Sequence, residues 1–159
     1  MERRDLIRRL GACLLVLAAA PVAAAGATVL RWSVVAQGAT ESTGGTAPLG
    51  YVAVTRTQER SFAPRLTLHD RAALQRIDLS SNGVVATFLY GLPCGSEARV
   101  DAVGRTARTV GVRVSYAPPP PGVGMCVRAA SPYFLVTVPR RMLGRPASTH
   151  VPIVAVARA

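Results

Sequence analysis

The chain has 159 residues, 19 arginines, no lysine, eight acidic residues and a formal net charge of +11. That length supports one domain with a sizeable core and requires no second. The charge favours anionic surfaces in general, but the arginines are scattered and aromatic residues are few, with none interleaved among the bases as a single-strand nucleic-acid platform requires.

The first nine residues carry Arg3, Arg4, Arg8 and Arg9 against Glu2 and Asp5, and an apolar run from Leu10 to Ala20 follows. Pro21 and the small tract ending Ala23-Ala24-Ala25 come next. This order predicts a removable signal peptide over residues 1–25. The run is shorter than the roughly 20 residues of a membrane span, so no transmembrane anchor is expected after cleavage. Arg3-Arg4-Asp5-Leu6-Ile7-Arg8 resembles the twin-arginine pattern, and an ordinary basic leader reads the same residues equally well. Leu10-Gly11-Ala12-Cys13 spells a lipoprotein box, but most of the apolar run follows the cysteine, so lipidation is not expected. The reading is an exported protein, periplasmic or extracellular, whose 134 remaining residues hold 15 arginines and six acids. Export counts against nucleic acid as a partner. Arginine in place of every lysine reads as a compositional bias, since either suits a solvated surface.

Residues 26–49 divide into a strand at Val29 to Ala36, with Trp32 directed to the core, and a Gly/Ser/Thr-rich loop from Gly38 to Gly50, expected to be mobile. Residues 50–159 form the main domain. Tyr51 to Thr57 alternates as a strand. Pro64 divides the stretch after it, and Asp70 is placed to cap a short helix through Arg76. Gly83 to Tyr90 is almost continuously apolar, the pattern of a strand buried on both faces. A turn at 91–96 leads into Ala98 to Val103 as a hairpin. Thr109 to Tyr116 then sets Val110, Val112 and Val114 on one face and Gly111, Arg113 and Ser115 on the other. Pro118 to Gly124 is a loop. Cys126 to Val138 resumes the strand pattern with a bulge or strand start at Pro132, Arg140 to Ser148 connects, and Val151 to Ala157 closes the fold as an edge strand. The expected class is α+β, mainly antiparallel β: a strand-rich sheet domain with one or two short helices, preceded by the signal peptide.

Cys13 leaves with the leader. The remaining pair in an oxidising compartment reads as a disulfide, Cys94 to Cys126, worth about 3 to 4 kcal/mol by loop-closure entropy. Two free thiols or a metal pair are the alternatives. His69 and His150 are each isolated from further ligands, so no metal or cofactor is expected. No Gly-x-Ser-x-Gly or His-Glu-x-x-His motif occurs. Ser131 precedes a proline, and Asp78 and Asp101, the acids beside strands, read as cap or surface residues, which makes the expected function non-catalytic.

Ile77-Asp78-Leu79-Ser80, the strand at Val84 to Ala86, the Gly-Leu-Pro-Cys-Gly turn at 91–95 and the tail from Ser131-Pro132-Tyr133 to Pro139 together resemble the C-terminal domain of the PrcB family of protease-complex components. Leu79 stands where the family has phenylalanine, and the turn departs from the family's Pro-Thr-Gly-Gly-Tyr. The resemblance implies an exported, non-catalytic binding or assembly module, its partner another exported or envelope protein and, by the family's founding case, a protease complex. Pro132, Tyr133, Arg140 and Arg141 are the expected partner-binding residues. Two alternatives use other features. Loops 91–96, 118–125 and 140–146 stand in an order similar to the inhibitory loops of chagasin-like protease inhibitors, Gly144-Arg145-Pro146 echoing the third, although Ala147 replaces its aromatic residue and Cys94 a threonine. Arg140 and Arg141 also suit an envelope or polyanion surface.

Overall fold

Runs of β-branched and aromatic residues broken by glycine, proline and serine give many short strands and little helix. The computed structural model describes residues 27–41, 47–93, 95–107, 109–119, 130–146 and 148–158. The expected leader and both cysteines of the expected disulfide, Cys94 and Cys126, lie outside them. In chain order the elements are β1 (Thr28–Val29), β2 (Ser33–Glu41), β3 (Leu49–Ala53), α1 (Arg56–Glu59), a 3-10 turn (Ala63–Arg65), α2 (Leu68–Gln75), β4 (Asn82–Phe88), β5 (Glu97–Arg105), β6 (Val110–Ala117), β7 (Ala130–Pro139), α3 (Arg140–Leu143) and β8 (Ile153–Ala157).

The strands make two four-stranded sheets, ordered β1-β5-β6-β8 and β2-β7-β4-β3. Pairing is antiparallel except for β6 with β8. The strand-rich, mainly antiparallel α+β class expected from the sequence is the class the chain adopts.

Period-two alternation sorts the residues into layers. Val100, Val103, Val110, Val112 and Val114 of the first sheet meet Val85, Phe134, Val136 and Val138 of the second in one core. Val84, Ala86, Phe88, Tyr133 and Leu135 point the other way, onto Phe62, Leu66, Leu74, Ile77 and Leu79 of the helical layer. The central strands β4 and β7 of the second sheet are therefore buried on both faces, as the apolar run of β4 predicts. The far face of the first sheet is left open. A bulge in β5 between Val100 and Ala102 lets Val100 and Val103 both point inward.

Two segments tie the sheets together at their edges. β1 pairs with β5, and the chain then crosses so that β2 pairs with β7. Val52 N–H donates to Thr149 O and Val151 N–H to Gly50 O, both at the outer edge of β3, before β8 joins β6 in the first sheet. Pro152 sits at that crossing, and a Cβ on Gly50 would lie 2.5 Å from the Val151 carbonyl oxygen, so only glycine admits the approach. β1 and β2, from the stretch set apart at 26–49, thus supply an outer strand to each sheet.

Several local expectations change. Gly38 to Glu41 belongs to β2 rather than a loop, because Gly38 faces Tyr133 and leaves room for its ring. The third strand ends at Ala53, and Thr55 caps α1. The turn at 91–96 is no hairpin, since it carries the chain from the second sheet to the first. Thr67, not Asp70, is the N-cap of α2, its hydroxyl accepting from Asp70 N–H at 3.2 Å. Pro132 lies inside β7 without a break, and the bulge is on β2, between Val34 and Ala36. Residues 140–143 form a helical turn.

Candidate binding surface

The sequence-predicted residues separate once placed. Tyr133 is fully buried, and its hydroxyl donates to Asp70 Oδ2 while accepting from Thr67 N–H at 3.3 Å. Burial, then the bond to Asp70, pushes the phenol up from its ordinary value. This cluster anchors the start of α2 against β7 and offers a partner no surface in the folded chain. Pro132 is half-buried, its carbonyl oxygen accepting from Leu89 N–H at 2.9 Å.

Arg140 and Arg141 are neighbours in sequence with opposite surroundings. Arg140 Nη1 donates to Val54 O (2.6 Å) and Leu79 O (2.7 Å), and its backbone N–H donates to Ser81 O, which pins α3 to the helical layer. Arg141 is exposed. Of the pair expected to meet a polyanion, one is committed to the interior.

Other arginines also hold backbone. Arg56 takes the last carbonyls of α2 and the residues beyond, Leu74, Gln75 and Ile77, and its charge is matched by the buried Glu59 at 2.7 Å. Arg71 reaches Pro64 O and Leu66 O, Arg105 reaches Met142 O, and Arg158 reaches Glu97 O. A planar fork of donors suits this task, and an ammonium group does not. The choice of arginine at these positions therefore has a structural reason beyond composition.

The turn before β4 is built by Asp78. Its carboxylate accepts from the Ser80 backbone N–H (2.9 Å), the Ser80 hydroxyl (2.6 Å) and the Ser81 hydroxyl, which lowers its pKa to about 2. Parts of three of the segments quoted for the resemblance meet in the helical layer. Asp78 shapes its turn, Leu79 fills its core, and Tyr133 fixes its longest helix.

The open surface is the outer face of the first sheet. Gly104 of β5 and Gly111 of β6 are cross-strand partners, and their missing side chains leave an apolar cleft of about 290 Å³. Ala102, Val112, Pro152 and Val154 line it, with Arg105 and Arg113 among its polar groups. Val29 and Val156 on the same sheet are 71% and 46% exposed. Further along this face Asp101 accepts from Arg99 Nε and from the Ser115 hydroxyl, both at 3.0 Å, a closed set of partners with no histidine in it. Alternation in β6 assigns Gly111 and Arg113 to one face from sequence alone. The pairing of Gly104 with Gly111 depends on the 106–109 turn and leaves no local signal.

Around the edge of β1 lies a second depression, of about 300 Å³, lined by Thr28, Leu30, Arg105, Ala107, Arg141 and Met142. Arg105 borders both hollows. Among the described residues no group of three or more His, Cys, Asp or Glu could hold a metal ion. Compared with protein-family models, curated proteins and solved structures, the chain matches none.

Proposed function

We propose that the protein is an exported, non-catalytic binding or assembly module whose partner, another exported or envelope protein, docks on the open face of the first sheet. One observation carries the reading: the central strands β4 and β7 of the second sheet are covered on both sides, whereas the first keeps an uncovered face with an apolar cleft and the exposed Val29 and Val156. An apolar patch rimmed by polar groups is the usual mark of an interaction site. Four of the described acids support it from the other side, because Glu59, Asp70, Asp78 and Asp101 are each held in structural bonds. The resemblance to the PrcB family points to an envelope or secreted protease assembly as the partner's setting.

A photoreactive amino acid at Val156, with one at Leu68 as control, tests the docking face. Leu68 is 81% exposed on the helical layer. The expected result in the native envelope or secreted fraction is one crosslinked protein from position 156 and none from 68. Equal capture from both, or none from 156, would remove the assignment of the open sheet.

A further inference from the structure

We infer that the hollow beside β1 is a receptor for the C-terminal carboxylate of a partner chain ending in an apolar residue, an inference that rests on the docking reading above and names its chemistry. Its wall mixes cationic, hydroxyl and apolar groups. Arg105 and Arg141 contribute the charge, Thr28 and Thr106 hydroxyls, and Leu30, Ala107 and Met142 the apolar side. No acidic residue lines it.

The two cations are not neutralised by the described chain. Its ion pairs are Arg56 with Glu59 and Arg99 with Asp101, and neither Arg105 nor Arg141 joins them. Glu97 starts β5 at the end opposite Arg105, a nine-residue strand away, or roughly 26 Å. Arg105 is also held in place. Its Nη1 donates to Met142 O at 3.2 Å, and the backbone at Gly144, with φ of 61°, lies so close that a Cβ there would sit 2.7 Å from Nη2. A fixed guanidinium fork beside a second cation suits a planar carboxylate.

The apolar side of the hollow selects among anions. Leu30 is 4% exposed and already part of the core, so the apolar surface on offer comes from Ala107 and Met142. A phosphate or sulfated sugar would leave it uncovered, whereas a chain end pairs an apolar side chain with its carboxylate. About 300 Å³ is the low end for ligand pockets, enough for one or two residues and not for a polysaccharide. Because Arg105 also borders the cleft on the sheet face, the residues preceding the chain end have an apolar path leading away from it. Capture of a terminal carboxylate is an established mode of peptide recognition.

The test is fluorescence anisotropy with the full exported protein and a labelled hexapeptide, Gly-Ser-Gly-Ala-Ala-Val, bearing either a free carboxylate or a terminal amide. The free acid is expected to bind, and the amide to bind at least about tenfold more weakly, the worth of one charge-assisted contact. Arg141→Gln should weaken the acid by about the same factor. Arg145→Gln, at an exposed position outside the lining, should leave binding unchanged. Emission of Trp32, half-buried against the core, confirms that each variant is folded. Equal binding of acid and amide, no binding of the acid at millimolar protein, or insensitivity to Arg141→Gln would overturn the inference. Valerate binding as tightly as the peptide would overturn the chain-end source. Any of these alongside capture from Val156 would leave the docking face standing and remove only this pocket.

Discussion

The two sheets have the same number of strands and a shared core, yet they are finished in opposite ways. The second sheet carries large residues on both faces, from Phe88, Tyr133 and Leu135 toward the helices to Val85, Phe134 and Val136 toward its partner sheet. The first is valine on the inside, with Gly104, Gly111, Arg113 and Ala102 outside. The doubly covered strands β4 and β7 hold the fold, and the first sheet is free to vary on its outer side. The arginines follow the same division. Arg56, Arg71 and Arg140 grip carbonyls around the helical layer, while Arg113 and Arg141 face solvent.

That contrast can be broken most severely at Tyr133. Tyr133→Ala should cost about 3 to 5 kcal/mol, the range for emptying a buried aromatic site. Tyr133→Phe, which keeps the ring and strips Asp70 and Thr67 of their partner, should cost about 1 to 3 kcal/mol. Urea titration followed by Trp32 emission measures both, and a Phe variant as stable as the parent would show that the hydroxyl does not anchor α2.

The adjacent arginines make the next comparison. Arg140→Ala should lose about 2 kcal/mol, since two part-buried carbonyls forfeit a charged donor, while Arg141→Ala should stay within about 0.5 kcal/mol. Arg140→Lys keeps the charge and should recover only part of the loss, because one ammonium lacks the planar fork. Thermal denaturation of the three side by side is sufficient, and equal losses at 140 and 141 would contradict the inward and outward assignments.

The smallest effect concerns acid. Asp78 is depressed from 3.8 to about 2, so the folded state holds its proton less tightly than the unfolded chain does. Its contribution is therefore complete above pH 3.8 and fades as pH falls through about 2. Asp78→Asn should flatten the stability profile in that window and leave the neutral-pH slope unchanged, read from denaturation midpoints between pH 2 and 5.

Much of this fold is legible in the sequence, for reasons that differ by element. β4 and β6 can be read directly because the apolar pattern is local: one is continuous and the other alternates. Gly38 to Glu41 reads as loop because its small polar residues are kept in a strand by a partner nearly a hundred positions away, with Gly38 needed to clear Tyr133. The cap of α2 is ambiguous in sequence, since Thr67-Leu68-His69-Asp70 carries two capping groups, and Asp70 turns instead to Tyr133. Adjacency groups Arg140 with Arg141, but a helical turn sends neighbouring side chains in different directions. The surface around Gly104, Gly111 and Arg105 is invisible at this level, because it arises from strand register and from α3 packing beside the end of β5.

The pairing of β2 with β7 also sets an order of assembly. Ser33 lies opposite Thr137, 104 positions later, and their hydroxyls are 2.9 Å apart. A ribosome that has released the first strand of the second sheet must add about a hundred further residues before that strand finds its neighbour. Pairings this distant close slowly and leave strand edges open in the meantime. The interval before β7 emerges is thus when the chain is most exposed to aggregation, and a chaperone that covers β2 during that interval would act at the slowest step.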